Sequence, residues 1–321
     1  MRRFLLDKKN FNQRLDKYLL KIISSKSFVY KLLRKKIIKL NNMRASGSEI
    51  LSPDDIIDIY INDDVFEKFK IKKEKIKSNK KISIIYEDEN ILVCDKENGV
   101  LSQPNKINCD SILNRLYNYL NDYNISICNR LDFDTTGIII CAKNFLAKQE
   151  LNKMIFNNEV KKYYFALVYG EFSDSNYILN DNCVKDKKRN ILKISNNDDD
   201  KRNKNILTKF RVISSRDNFS FIKINLVTGK SHQIRAQMSH INHPIIGDKK
   251  YGNNKINLYF KKFFCLNHQL LHAYEINFDF DINKYYLLKY LNNLKINCNL
   301  PDMFKMILDK YELNDNKKIN C

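Results

Sequence analysis

Residues 129–143, Asn-Arg-Leu-Asp-Phe-Asp-Thr-Thr-Gly-Ile-Ile-Ile-Cys-Ala-Lys, constrain the fold of this chain more than any other stretch. A basic residue, Arg130, stands just before an acidic one, Asp132. The polar turn Thr135-Thr136-Gly137 follows, and then Ile138, Ile139 and Ile140 make a short apolar run. Such a run, entered through a turn, reads as a buried strand. A carboxylate at a loop edge, braced by a rigid strand, is held still as a nucleophile or base must be. The plainer reading of Asp132 is a turn or helix cap.

Similar short apolar runs lie at 82–86, 91–94, 163–168, 210–213 and 221–226. Helical patterns intervene at 110–120 and 145–155. Strands mixed with segregated helices predict an α+β unit with a largely antiparallel mixed sheet, over residues 82–296. A smaller unit, residues 1–65, precedes it. There Leu15, Leu19 and Ile22 recur at helical spacing, and Ser27 is expected to cap a second helix with Phe28, Val29, Leu32 and Leu33. Lys31, Arg34 and Lys35 fall on one face of that helix. Strands are expected at 37–40, ending at the turn Asn41-Asn42, and at 56–61. Residues 66–81, rich in lysine, read as a charged linker. Residues 195–205 read as a mobile loop, and 297–321 as a C-terminal tail.

A net charge of +20 suits a polyanionic partner, nucleic acid before an anionic membrane. The same lysine-rich usage arises from AT-rich coding sequence, so charge alone assigns no ligand. No apolar run reaches the roughly 18 residues of a membrane span, and no signal peptide opens the chain. Eight cysteines include no C-x-x-C, which argues against a zinc site and for reduced thiols in a cytoplasmic protein. All five histidines lie between His232 and His272, without H-E-x-x-H, so no metal is expected. No Walker-type phosphate loop is present either.

Three segments in the second unit carry a resemblance. The first is Arg130-Leu131-Asp132 with Thr135-Thr136-Gly137, similar to H-R-L-D-x-x-T-S-G. The second is Lys162-Tyr163-Tyr164-Phe165-Ala166-Leu167-Val168-Tyr169-Gly170, similar to K-x-Y-x-A-x-V-x-G. The third runs from Leu226 to Arg235, similar to L-x-T-G-R-x-H-Q-I-R, and on through His243-Pro244 to Gly247-Asp248 and Tyr251-Gly252. Asp95-Lys96-Glu97-Asn98-Gly99 and Leu271-His272-Ala273 flank these as weaker matches. In this order the segments resemble the RluA-type pseudouridine synthases over residues 82–278. The small unit, over residues 12–62, resembles the alpha-L RNA-binding domain known from a small-subunit ribosomal protein.

The resemblance implies roles. Asp132 is the family's catalytic aspartate, attacking the sugar or assisting glycosidic cleavage, and Arg235 is its paired cation. Tyr164 helps remove the proton from carbon five of uracil or holds the base, and Ile234 walls the uracil pocket. Arg130 inserts into the RNA where the target nucleotide is flipped out, as a planar guanidinium suits. Lys31, Arg34, Lys35, Lys230 and His232 are candidate RNA contacts. Asn129, Thr136, Lys230 and Glu97 depart from the family's histidine, serine, arginine and proline, while the aspartate, tyrosine and arginine are kept.

The expected protein is thus a cytoplasmic RNA pseudouridine synthase, monomeric, without cofactor or membrane association. Its expected substrate is large-subunit ribosomal RNA, with transfer RNA as the second choice. The competing reading is a non-catalytic RNA-binding ribosome-assembly factor on the same fold.

Overall fold

A computed structural model describes residues 1–6, 10–70, 80–105, 109–122, 124–186, 188–195 and 203–314. The first unit contains strands β1 (Arg2–Leu5), β2 (Ile38–Leu40), β3 (Met43–Arg44) and β4 (Ile56–Ile59), ordered β1-β4-β2-β3. Helices α1 (Leu15–Leu19), α2 (Lys26–Arg34) and α3 (Asp63–Phe69) complete it. Leu15, Leu19, Val29, Leu32, Leu33, Ile57 and Ile59 form one core, which leaves the cationic residues of α2 outside.

Three boundaries differ from expectation. Ser25, not Ser27, caps α2, accepting a hydrogen bond from Phe28 N at 3.2 Å. The strand expected to reach residue 61 stops at Ile59. The linker does not begin at residue 66, because Phe66 is buried in this core and Phe69 stacks on Phe28 with ring centroids 4.0 Å apart. Two inward aromatics three positions apart make a helix that the lysine-rich composition hides. Residues 71–79 of that segment lie outside the described residues.

The second unit begins with β5 (Ser83–Glu87), β6 (Ile91–Lys96), α4 (Ile112–Leu120), β7 (Ser126–Ile127), β8 (Thr136–Ala142) and α5 (Phe145–Phe156). It continues through β9 (Val160–Tyr169), β10 (Asn176–Asp186), β11 (Ile191–Ser195), β12 (Lys204–Arg216) and β13 (Phe219–Leu226). Then come α6 (Gln233–His240), α7 (Asn254–Phe264), β14 (Leu271–Phe278), β15 (Lys295–Asn297) and α8 (Asp302–Lys310). Among the described residues eleven strands make one sheet, ordered β11-β10-β12-β13-β9-β14-β8-β6-β5, with β15 on β14 and β7 on β8. Only β8 and β14 pair in parallel, so the sheet is mixed and largely antiparallel as expected.

Strand β8 explains its own composition. Successive side chains point to opposite faces. Ile138 and Ile140 pack with Ala147, Leu151 and Met154 of α5. Ile139 and Cys141 pack with Ile112 and Leu116 of α4 and Ile234 and Met238 of α6. A strand covered on both faces needs an unbroken apolar run.

The hairpin β10–β11 is not visible in the sequence, because its strands alternate half-buried with exposed residues and lack an apolar run. Residues 196–202 of the expected loop lie outside the described residues. The expected tail is mostly not a tail: Phe304, Ile307, Leu308 and Leu313 join the core formed by Phe165, Phe221 and Phe260. Their helical spacing buries one face of α8, at about 1.5–3 kcal/mol per large side chain. The two units touch where Asn12 and Gln149 exchange two hydrogen bonds of 3.2 Å and Lys21 Nζ lies 4.3 Å from the Phe145 ring centroid.

Candidate active site

The site forms where β8, β14 and β9 lie side by side. Thr136 and Gly137 pair with His272 and Ala273, and Ala273 pairs with Tyr164. Three separate sequence motifs therefore meet in neighbouring strands. Gly137 has φ 106°, and a Cβ there would stand 2.1 Å from the Ala273 carbonyl oxygen, so only glycine permits this contact.

The loop entering β8 is tied down on several sides. Leu131 is buried, and its N–H donates to Ser102 Oγ at 3.0 Å while that hydroxyl donates back to its carbonyl at 2.9 Å. Lys96 is fully buried, and its ammonium donates to the carbonyls of Glu97, Phe133 and Thr135 at 2.9, 2.9 and 2.8 Å. Thr135 N donates to the Asp132 carbonyl at 3.1 Å. Asn129 uses both ends of its amide on β8, donating to the Ile138 carbonyl at 3.2 Å and accepting from Ile140 N at 2.7 Å. An amide does here what a residue that both donates and accepts must do.

Arg235 sits in the first turn of α6. The entry to that helix is knitted by Gln233, whose amide oxygen accepts from Thr228 Oγ1 at 2.9 Å and Lys230 N at 3.1 Å. The guanidinium Nη1 donates to Asp132 Oδ2 at 2.7 Å. Its Nε and Nη2 donate to Asp248 Oδ2 and Oδ1 at 2.7 and 2.8 Å. Asp248 has no exposed side-chain surface, and its Oδ1 also accepts from Lys250 N and Tyr251 N at 2.8 and 3.0 Å. Burial opposes the charge on both partners, but their pairing wins: Asp248 titrates below the usual carboxylate range and Arg235 above its ordinary value. Gly247, at φ 80°, sets up this corner, where a Cβ would stand 2.0 Å from the His268 carbonyl oxygen.

Tyr164 is buried, and burial together with the Asp132 carboxylate pushes its phenol far above the ordinary 10. Ile234 shares one apolar cluster with Tyr164 and Leu131. His232 has left-handed φ (63°) at the entry to α6. The Tyr251 hydroxyl accepts from Leu192 N at 2.6 Å and lies 3.1 Å from His232 Nδ1, within hydrogen-bond distance. His232 Nε2 stands 3.9 Å from Asp132 Oδ1, beyond hydrogen-bond range. Burial lowers the His232 pKa, which favours the neutral ring.

The candidates thus divide. Asp132, Arg235, Tyr164, Ile234 and His232 gather at one place. Arg130 and Lys230 are exposed on the loops beside it. Lys31 and Arg34 are exposed on α2 of the first unit and Lys35 at its C-cap, near a surface groove lined by Tyr30, Arg34, Lys36 and Arg44. Sequence reasoning gave no role to Asp248, Lys96 or Tyr251. The signal for Asp248 was a lone carboxylate after the apolar run Ile245-Ile246-Gly247, a place where an unpaired charge would be costly.

Comparison with known proteins shows the family of the chain. The family described as RNA pseudouridylate synthase matches residues 90–240. The chain is 31% identical over 312 residues to the ribosomal large subunit pseudouridine synthase C of Buchnera aphidicola subsp. Baizongia pistaciae (strain Bp), covering 92% of this chain and 93% of that one. It is 32% identical to the ribosomal large subunit pseudouridine synthase D of Blochmanniella floridana, covering 81% and 84%. Among solved structures, human RNA pseudouridylate synthase domain containing 4 shares the fold, with a TM-score of 0.58 and 21% identity over 72% of this chain and 93% of that one.

Proposed function

The chain belongs to the RluA-type RNA pseudouridine synthases, and we propose that it isomerises uridine in large-subunit ribosomal RNA with Asp132 as its catalytic carboxylate. The observation that carries the role of Asp132 is the 2.7 Å hydrogen bond that its carboxylate accepts from an arginine whose other nitrogens are already committed to Asp248. The pairing holds one carboxylate oxygen, while the side chain keeps 24% of its surface open to a substrate. The substrate reading is supported by relatives named for large-subunit ribosomal RNA.

The chemistry asks for little else. The bond from C1′ to N1 of uridine breaks, the base turns, C5 bonds to C1′, and the C5 proton leaves while N1 is protonated. Asp132 engages the sugar as the base detaches. Tyr164 and Ile234 supply the apolar walls against which the free uracil turns, and exclusion of water guards against an abasic product. No atom is oxidised or reduced, so no redox cofactor is required. In this reading Arg130, exposed two residues before Asp132, enters the RNA from which the nucleotide is drawn. The first unit serves as the alpha-L RNA-binding domain, with Lys31, Arg34 and Lys35 on phosphates and Lys230 and His232 near the reacting nucleotide. With ribosomal RNA as its proposed substrate, the enzyme is assigned to the cytoplasm.

The test is pseudouridine mapping of total RNA, by carbodiimide labelling and primer extension, from cells with and without the gene. A large-subunit site lost without the gene, and restored by wild type but not by Asp132→Ala, is the expected result. Loss of a transfer RNA site would move the substrate. No lost site, with RNA binding intact, would favour an assembly factor.

A further inference from the structure

We propose that Phe133 is an RNA-stacking residue whose ring takes the face of an unpaired base beside the nucleotide drawn into the site. The inference rests on the functional reading above and adds a contact to it. Phe133 directly follows Asp132, and 52% of its surface is exposed. An isolated exposed apolar residue is ordinary on a protein surface. This one is not ordinary in its backbone. Its carbonyl accepts from the buried ammonium of Lys96 at 2.9 Å and from Gly99 N at 3.0 Å.

The loop is fixed at both sides of the ring. Leu131 and Thr135 are buried, at 8% and 3% exposure, and Gln269 Nε2 donates to Thr135 Oγ1 at 2.8 Å. Between them the backbone of Phe133 cannot shift without breaking the Lys96 bracket. The fold therefore presents a flat apolar ring from a fixed backbone, one residue after the reacting carboxylate. Withdrawing a nucleotide unstacks its neighbours and leaves their faces bare. A rigid aromatic ring is the side chain that covers such a face whatever the base, and Arg130, exposed three residues earlier, supplies charge for the adjoining phosphates. Leucine or methionine would fill the same space but offer no ring to stack.

The experiment uses the full chain and total RNA isolated from cells lacking the gene. Pseudouridine formation is followed in single turnover against RNA concentration, for wild type, Phe133→Leu and Phe133→Tyr. Phe133→Leu is expected to raise the half-saturating RNA concentration by about tenfold, with the saturating rate and the urea midpoint unchanged. Phe133→Tyr, which keeps the ring, is expected to match wild type. The salt dependence of binding should keep its slope in Phe133→Leu, because no phosphate contact is removed. Phe133→Leu indistinguishable from wild type overturns the inference and leaves the enzyme assignment standing. So does a fall confined to the saturating rate, which would mean that the ring only props the Asp132 loop. Wild type that forms no pseudouridine on this RNA sinks the functional reading and this inference together.

Discussion

Arg235 and Asp248 are joined by two parallel hydrogen bonds of 2.7 and 2.8 Å, and this fork decides where the third nitrogen points. A bidentate carboxylate fixes the plane of a guanidinium as a single contact cannot. Asp248 is itself fixed by two backbone N–H groups, so the geometry passes from the 248–251 turn through Arg235 to Asp132. Asp248 is thus a positioning residue.

Asp248→Asn keeps the shape but gives up an acceptor and the charge. The fork should loosen, and single-turnover pseudouridine formation should fall by about a hundredfold with RNA affinity unchanged. Asp248→Ala leaves Arg235 buried without its main counter-ion. Urea unfolding should show a loss of about 3–5 kcal/mol. A fully active Asp248→Asn would show that the fork has no part in orienting Asp132.

Tyr164 is expected to act through its protonated hydroxyl. Burial and the nearby carboxylate hold the phenol in its neutral form far above neutral pH, so phenolate is not available as a base. Tyr164→Phe should keep RNA binding and slow release of tritium from carbon-five-labelled uridine by about tenfold, the loss of one hydrogen bond that orients the base. Tritium release at the wild-type rate would leave Tyr164 as packing alone.

The sequence made the middle of this structure readable because one physical rule governed each part. Ile138 to Ile140 had to be a strand covered on both faces, and Asp132 had to stand at its entrance. The partner of Asp132 was legible only through the ordered motifs, since Arg235 lies 103 residues away in the chain. Asp248 and Lys96 stayed silent for a different reason. Their meaning lies in burial, and a lone aspartate or lysine in a sequence reads as surface until its partners are placed. Helices α3 and α8 were hidden by composition: lysines and aspartates on the outer face masked Phe66, Phe304 and Ile307, the residues that anchor them.

His272 predicts an acid-sensitive core. The Cys298 carbonyl, 3.4 Å from Nε2, can only accept, so Nε2 carries the proton and Nδ1 accepts from Thr136 Oγ1 at 2.8 Å. Burial lowers its pKa from the ordinary 6.5 to about 4. Between those values the unfolded chain binds the proton and the folded chain does not. Stability is therefore intact above 6.5 and lost as pH falls toward about 4, by up to about 3 kcal/mol. Urea midpoints across this range should fall steeply for wild type and less steeply for His272→Gln. Equal slopes would assign the acid sensitivity to other groups.

Lys96 separates stability from activity at high pH. Burial lowers its pKa to about 8. Between about 8 and the ordinary 10.5 the unfolded chain holds more protons than the folded one, so this residue makes stability rise with pH. The neutral amine, however, has two N–H groups for three carbonyls. One strut of the Asp132 loop must then let go. The single-turnover rate of wild type should decline above pH about 8 while the urea midpoint does not. Lys96→Met lacks all three struts and leaves buried carbonyls unpaired, at about 1–3 kcal/mol each where water cannot reach them. That variant should be less stable and slower, with a rate lacking this decline. A wild-type decline that persists unchanged in Lys96→Met would place the titrating group elsewhere.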